Sequence, residues 1–198
     1  MQRWLDYSDD IIGLAFLNDG KYGYDIDGHR VRLSLMRAPL IRSGEIAGLG
    51  AFDFAYALYP HAGRWSGSDV VKNAQVLNRP LRALCIPAGT ENIGEQRPPG
   101  WKIGEPLIEL NSPDVHISAM KAAEADPGYI VRLWACPDKP QELSIRISFP
   151  INQVFLCNAL EQNLEEVRFE SGSQSTIKLS FKPLEFKTLK LVCVTAIF

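Results

Sequence analysis

Apolar and polar residues alternate with a period of two along most of the chain. Val31, Leu33 and Leu35 alternate with Arg32, Ser34 and Met36, and Phe52, Phe54, Tyr56 and Leu58 alternate with Asp53, Ala55 and Ala57. Further on, Leu143, Ile145, Ile147 and Phe149 alternate with Ser144, Arg146 and Ser148. Ile177, Leu179 and Phe181 alternate with Lys178, Ser180 and Lys182, and Leu189, Leu191 and Cys193 follow with Lys190 between the first two. A strand turns successive side chains to opposite faces, so this period predicts antiparallel sheets with one face buried and one wet. Turn chemistry separates the runs: Asn18-Asp19-Gly20, Asp25-Ile26-Asp27-Gly28, Asp126-Pro127-Gly128, Pro137-Asp138-Lys139-Pro140 and Ser171-Gly172-Ser173. The reading is a mainly β chain.

One short helix is predicted near residues 66–78. Ser66 stands three residues before Asp69, the spacing of a capping box, and Val70, Ala74 and Leu77 share one helical face. Pro80 ends it by disfavouring the helical conformation at Arg79. From Pro87 to Pro106 the chain is crowded with Pro and Gly and reads as a linker, so two domains are expected, 1–107 and 108–198. The second has room for about five strands and a small sandwich.

At 198 residues the chain is long enough to close a core, and 46% apolar content with a net charge of -2 excludes disorder. The same balance argues against a basic nucleic-acid surface, so no nucleic-acid partner is expected. No apolar run reaches membrane-spanning length, so no membrane partner is expected, and the stretch Met1-Gln2-Arg3-Trp4-Leu5-Asp6 lacks the apolar core of a signal peptide. Cys85, Cys136, Cys157 and Cys193 are scattered through apolar runs without a Cys-x-x-Cys pair. They read as small buried hydrophobes, a usage that fits a reducing compartment and a cytoplasmic location.

Candidate chemistry is sparse. His29, His61 and His116 are far apart, with no partner at metal-ligand spacing, so neither a metal site nor a cofactor is expected within the chain. Neither a nucleophile elbow nor a phosphate-binding glycine loop is present. The paired carboxylates Asp9-Asp10, Asp25/Asp27 and Glu165-Glu166 lie in turns or on polar faces and read as solvated surface charge. Trp65 and Trp101, in loop-like surroundings, are the residues able to serve as a saccharide platform.

The string Arg3-Trp4-Leu5-Asp6-Tyr7-Ser8, followed by Gly13-Leu14-Ala15-Phe16-Leu17-Asn18-Asp19-Gly20-Lys21-Tyr22-Gly23-Tyr24-Asp25, resembles the C-terminal β region of the family 38 glycoside hydrolases, the zinc-dependent retaining α-mannosidases. The resemblance continues through Leu33 to Pro39, Phe54-Ala55-Tyr56-Ala57-Leu58-Tyr59-Pro60-His61, Leu77 to Leu81 and, in a more generic form, Lys182 to Leu191. Between Pro39 and Phe54 it breaks: where the family carries a Pro/Asp-rich loop leading to a His, this chain has an apolar run from Leu40 to Phe52 without one.

The resemblance implies the end of a large galactose-mutarotase-like β-sandwich followed by a small immunoglobulin-like β-sandwich. It implies that the family's zinc, two His and two Asp ligands, nucleophile and acid/base all sit on an N-terminal barrel that this chain lacks. The implied partners are that barrel, the rest of the central sandwich and, through the parent enzyme, an α-mannoside. The implied role is non-catalytic, supporting and rimming the barrel site, with Asn18, Asp19, Lys21, Tyr22 and Tyr24 as a substrate rim. The alternative is a stand-alone carbohydrate-binding sandwich. A bare apolar face containing Phe16, Leu40, Ile41, Leu49 and Phe52 leads to a further expectation, homodimerisation through residues 10–55.

Overall fold

A computed structural model describes residues 2–37, 50–81, 83, 104–125, 127–136, 139–172 and 174–193. The chain divides into two compact units, Met1–Cys85 and Ile86–Phe198.

In the first unit, β1 (Trp4–Ser8), β2 (Ile12–Asn18) and β5 (Tyr56–Ala62) form an antiparallel sheet in the order β1-β2-β5. Between β2 and β5 the chain makes a separate two-stranded ribbon, β3 (Tyr24–Asp27) and β4 (Arg30–Leu33). The ribbon closes at Gly28-His29, and Gly28 adopts a positive φ of 57° that a side chain would resist. The helix, α1 (Val70–Asn78), begins later than the capping-box spacing suggested. Ser66 lies instead in a preceding 3-10 turn, Trp65–Gly67, held where the Ser68 amide and hydroxyl donate to the Trp65 carbonyl. Asp69 takes the N-cap position without a side-chain cap bond, so local turn geometry displaced the expected start. The end is as predicted: Asn78 is the last helical residue, and Arg79 leaves the helical region before Pro80.

The helix lays Val70 and Ala74, with Leu77 beside them, against Ala15 and Leu17 of β2, Trp4 of β1 and Ala57 and Tyr59 of β5. This contact reverses the expected facing of the aromatic run. Phe52 and Phe54 lie before the strand begins, and within β5 it is Ala57, Tyr59 and His61 that turn inward while Tyr56 and Leu58 turn out. The cause is space. A helix and two tryptophans in contact, Trp4 and Trp65 with ring centroids 5.1 Å apart and planes tilted by 44°, need small residues beneath them. Ala15 and Ala57 provide that room beside Leu17 and Tyr59, and Phe16, Tyr56 and Leu58 fall on the opposite face. Phe16 is half-buried and Phe52 exposed, whereas Leu40, Ile41 and Leu49 of the expected dimer face lie outside the described residues.

In the second unit nine described strands form two sheets, against about five expected. β7 (Val115–Ala122), β8 (Tyr129–Ala135), β10 (Ile151–Cys157), β11 (Asn163–Glu166) and β14 (Phe186–Cys193) make one, ordered β11-β10-β14-β8-β7. β6 (Ile108–Leu110), β9 (Gln141–Ile147), β12 (Phe169–Glu170) and β13 (Ser175–Phe181) make the other, ordered β12-β13-β9-β6. The additional strands include short ones at sheet edges, of two to four residues, too brief to show a period. Between the sheets lies the core: Tyr129, Val131, Leu133, Leu143, Ile145, Ile147, Ile177, Leu189 and Leu191, with Phe149 edge-on to Tyr129. The alternations read from the sequence at 143–149, 177–181 and 189–191 all point into it. Lys190, expected to be wet, is buried. Gly128 permits a close approach, since a Cβ there would meet the Leu191 carbonyl oxygen at 2.6 Å.

Candidate functional site

The segment after β2 is where the expected rim residues gather. Asn18 ends β2 fully buried, and its Oδ1 accepts the amides of Gly20 and Lys21, closing an Asx turn. Its carbonyl accepts from the Asn78 amide, 2.9 Å away, which ties the loop to the end of α1. The Asn18 Nδ2 is buried without a hydrogen-bond acceptor. Asp19 spans to the segment leading into β5: its amide donates to the Ala55 carbonyl at 3.2 Å, and its carboxylate accepts the Ala55 amide at 2.9 Å. The Lys21 ammonium lies 5.0 Å from the centre of the Phe54 ring. Asn18, Asp19 and Lys21 therefore form one braced loop. Tyr22 and Tyr24 follow it with exposed rings. Trp65 is half-buried against Trp4, and Trp101 lies outside the described residues.

At the other end of β2 is a cleft of about 540 Å³, with Ile12, Leu14 and Pro60 as an apolar floor and Tyr7 and His29 at its polar end. The Tyr7 hydroxyl donates to the Gly28 carbonyl at 3.0 Å, which holds the ribbon turn against β1. None of the rim residues lines this cleft. About six residues of β2 separate the two places, roughly 20 Å at strand rise.

Sequence reasoning missed a third feature. His61 of β5 and Asp6 of β1 meet across the sheet face that carries α1, with Nε2 and Oδ1 2.7 Å apart and side chains only 2% and 3% exposed. The Ser8 hydroxyl donates to the second carboxylate oxygen. The imidazole occupies room left by Gly13, because a Cβ there would lie 2.2 Å from His61 Cε1. The signal that could have found the pair was an Asp and a His in strands that both flank Gly13, but no spacing rule joins residues 55 apart.

Among the described residues, no group of three or more His, Cys, Asp or Glu side chains is placed to hold a metal ion. The zinc centre implied for the family therefore does not fit the described part of this chain. The described cysteines are free thiols. Burial pushes the Cys136 thiol up to about 12 and the Cys193 thiol to about 11, and raises Cys157 as well, so none is an activated nucleophile. Among the described residues no helix is long and apolar enough to cross a membrane.

These features define a mainly β, two-unit protein whose polar clusters brace strands and loops. The family model for the glycosyl hydrolases family 38 C-terminal beta sandwich domain matches residues 114–189, and that for the family's C-terminal domain matches residues 1–42. Human Alpha-mannosidase 2C1 is 32% identical over 193 residues, covering 96% of this chain and 17% of the relative. Alpha-mannosidase G of Dictyostelium discoideum is 29% identical over 196 residues, again 96% of this chain and 17% of the relative. The Alpha-mannosidase of Saccharomyces cerevisiae is 42% identical over 76 residues, 38% of this chain and 7% of the relative. The chain belongs to glycosyl hydrolase family 38, as part of that family's C-terminal β region. It spans 17% of the length of the full-length relatives it matches along most of its own.

Proposed function

We propose that the chain is the non-catalytic C-terminal portion of a zinc-dependent retaining α-mannosidase, supporting a catalytic barrel and rimming its sugar site. In this reading the parent enzyme hydrolyses terminal α-mannosides in mannose metabolism, in the cytoplasm, and zinc, nucleophile and acid/base belong to the barrel. Residues 1–107 continue the central sandwich, and residues 108–198 form the small terminal one. The observation that carries the reading is the match along 96% of this chain to 17% of a relative named as an α-mannosidase.

Within this reading the braced loop is the sugar-facing element. Tyr22 and Tyr24 offer apolar ring faces to a pyranoside, and Asn18 and Asp19 hold the loop in shape through backbone amides rather than reaching the sugar. Lys21 supplies the donor closest to those rings in sequence.

The test uses the purified chain with an aryl α-mannoside, with and without added zinc. No turnover is expected in either condition, and zinc-dependent hydrolysis by this chain alone would refute the reading. Titrating methyl α-mannoside against tryptophan fluorescence separates it from the stand-alone carbohydrate-binding alternative, for which saturable binding is the signature.

A further inference from the structure

The three-stranded sheet of the first unit carries apolar residues on both faces; α1 packs on one, and on the other the ribbon turn at Gly28-His29 covers only the end near Tyr7. On the other, Ile12 is 64% exposed, Tyr56 57% and Leu58 56%, with Pro60 exposed beside them and Leu14 and Phe16 half-buried between. They form a continuous surface, because Phe16 stands opposite Leu58, Leu14 opposite Pro60 and Asn18 opposite Tyr56 in the β2–β5 register. Phe52 and Phe54, both exposed, extend the surface toward the start of β5.

An antiparallel sheet with solvent on one side carries polar residues there, whereas a sheet covered on both sides is apolar on both. Exposed side chains of this size, grouped on one face, exceed the scattered apolar residues of an ordinary surface. The strand that contributes most of them, β5, is also an edge. Within its sheet β5 pairs with β2 on one side, and its other side has no strand among the described residues. An open edge beside an open apolar face suits an incoming strand, which hydrogen-bonds the edge while its side chains cover the face.

We infer that this face and the β5 edge receive an apolar β-layer formed by the polypeptide that precedes the matched region in the α-mannosidase relatives. The inference rests on the reading of the chain as a supporting portion of such an enzyme, and it names the surface that does the supporting. What selects this occupant is length and direction. The matched region is 17% of the human relative, and both family descriptions place it at the C-terminal end, so in the relatives a much longer polypeptide precedes it. Ile12, Tyr56, Leu58 and Pro60 carry no charge, so the centre of this patch calls for an apolar occupant. A second copy of the chain is the competing occupant.

The experiment replaces the matching C-terminal segment of human Alpha-mannosidase 2C1 with this chain and places a protease site directly before Met1. After cleavage, size-exclusion chromatography reads whether the two pieces stay together. Wild type is expected to co-elute, and a Tyr56→Glu, Leu58→Lys double variant is expected to separate by at least tenfold weaker retention. A Leu164→Lys control, on the exposed edge strand β11, is expected to co-elute like wild type. The same double variant is made in the isolated chain, where both side chains already face solvent. Its melting temperature should match wild type, so loss of co-elution cannot be assigned to misfolding.

Co-elution of the double variant as tight as wild type overturns the assigned face and leaves the supporting role standing. Separation of the wild-type pieces overturns the supporting role and the inference together. A homodimer of the isolated chain that the double variant abolishes gives the face to a second copy and overturns the inference.

Discussion

Gly13→Ala tests whether the buried His61–Asp6 pair depends on the absence of a side chain on the strand between them. A methyl group at position 13 would lie 2.2 Å from His61 Cε1, 2.5 Å from Nε2 and 2.6 Å from Ser8 Cβ, all inside contact distance. Gly13 has no positive φ, so the β2 backbone itself tolerates alanine and the whole penalty is one of packing. The imidazole must move, and its 2.7 Å hydrogen bond to Asp6 breaks while the carboxylate stays 3% exposed. Overpacking costs about 1–3 kcal/mol, and loss of a hydrogen bond to a charged group about 1.5–3 kcal/mol. The two costs share one displacement, so a total of about 3–4 kcal/mol is expected. Urea denaturation followed by tryptophan fluorescence, with Trp101 and Trp134 replaced by Phe, measures it on the first unit through Trp4 and Trp65. The decisive arm is a double-mutant cycle with His61→Ala. Removing the ring relieves the two closest contacts and leaves the one with Ser8 Cβ, so Gly13→Ala should cost clearly less in that background than in wild type. A single-mutant penalty under about 0.5 kcal/mol, or strict additivity, would refute the argument that Gly13 exists to house the imidazole.

Gly128→Ala is expected to destabilise the second unit by about 2–4 kcal/mol in urea, because φ is +142° and the new Cβ would strike the Leu191 carbonyl oxygen at 2.6 Å. Burial holds the His116 imidazole below its ordinary value of 6.5, against the opposing pull of Asp114. The unfolded chain therefore binds the proton first, and this residue's contribution to stability is complete above about pH 6.5 and declines as pH falls below it. Denaturation midpoints at pH 7.5 and 5.5 should differ more for wild type than for His116→Gln. Cys136, raised to about 12, should resist iodoacetamide at pH 8 in the native chain and label fully in urea, as read by peptide mass spectrometry.

The Asx turn at Asn18 and the Asp19–Ala55 pair couple the exposed tyrosines to the lead-in of β5, the strand proposed to receive the preceding polypeptide. A layer docked on β5 would thereby fix the loop that carries Tyr22 and Tyr24. Asn18 pays for its position with an amide that finds no acceptor, at a cost of about 1–3 kcal/mol, while its Oδ1 and carbonyl hold three donors.

Local pattern was enough for the sandwich core and for the end of the helix. The period-two runs at 143–149, 177–181 and 189–191 point inward because each alternation is complete in itself and one of its faces must leave water. Pro80 stops α1 through a clash with its own neighbour, which is equally local. The motif strings around Asn18 to Asp25 and Tyr56 to His61 likewise carried the family without reference to any contact. Tertiary structure alone decided which way β5 faces, because Tyr56-Ala57-Leu58-Tyr59 offers apolar residues to both sides. The choice fell to the size of what α1 and the two tryptophans left room for. It alone brought His61 to Asp6, and it buried Lys190 on a strand whose alternation places it toward solvent. Asp6 lies 55 residues from His61, and in every case a side chain's burial is set by the atoms that the fold brings over it.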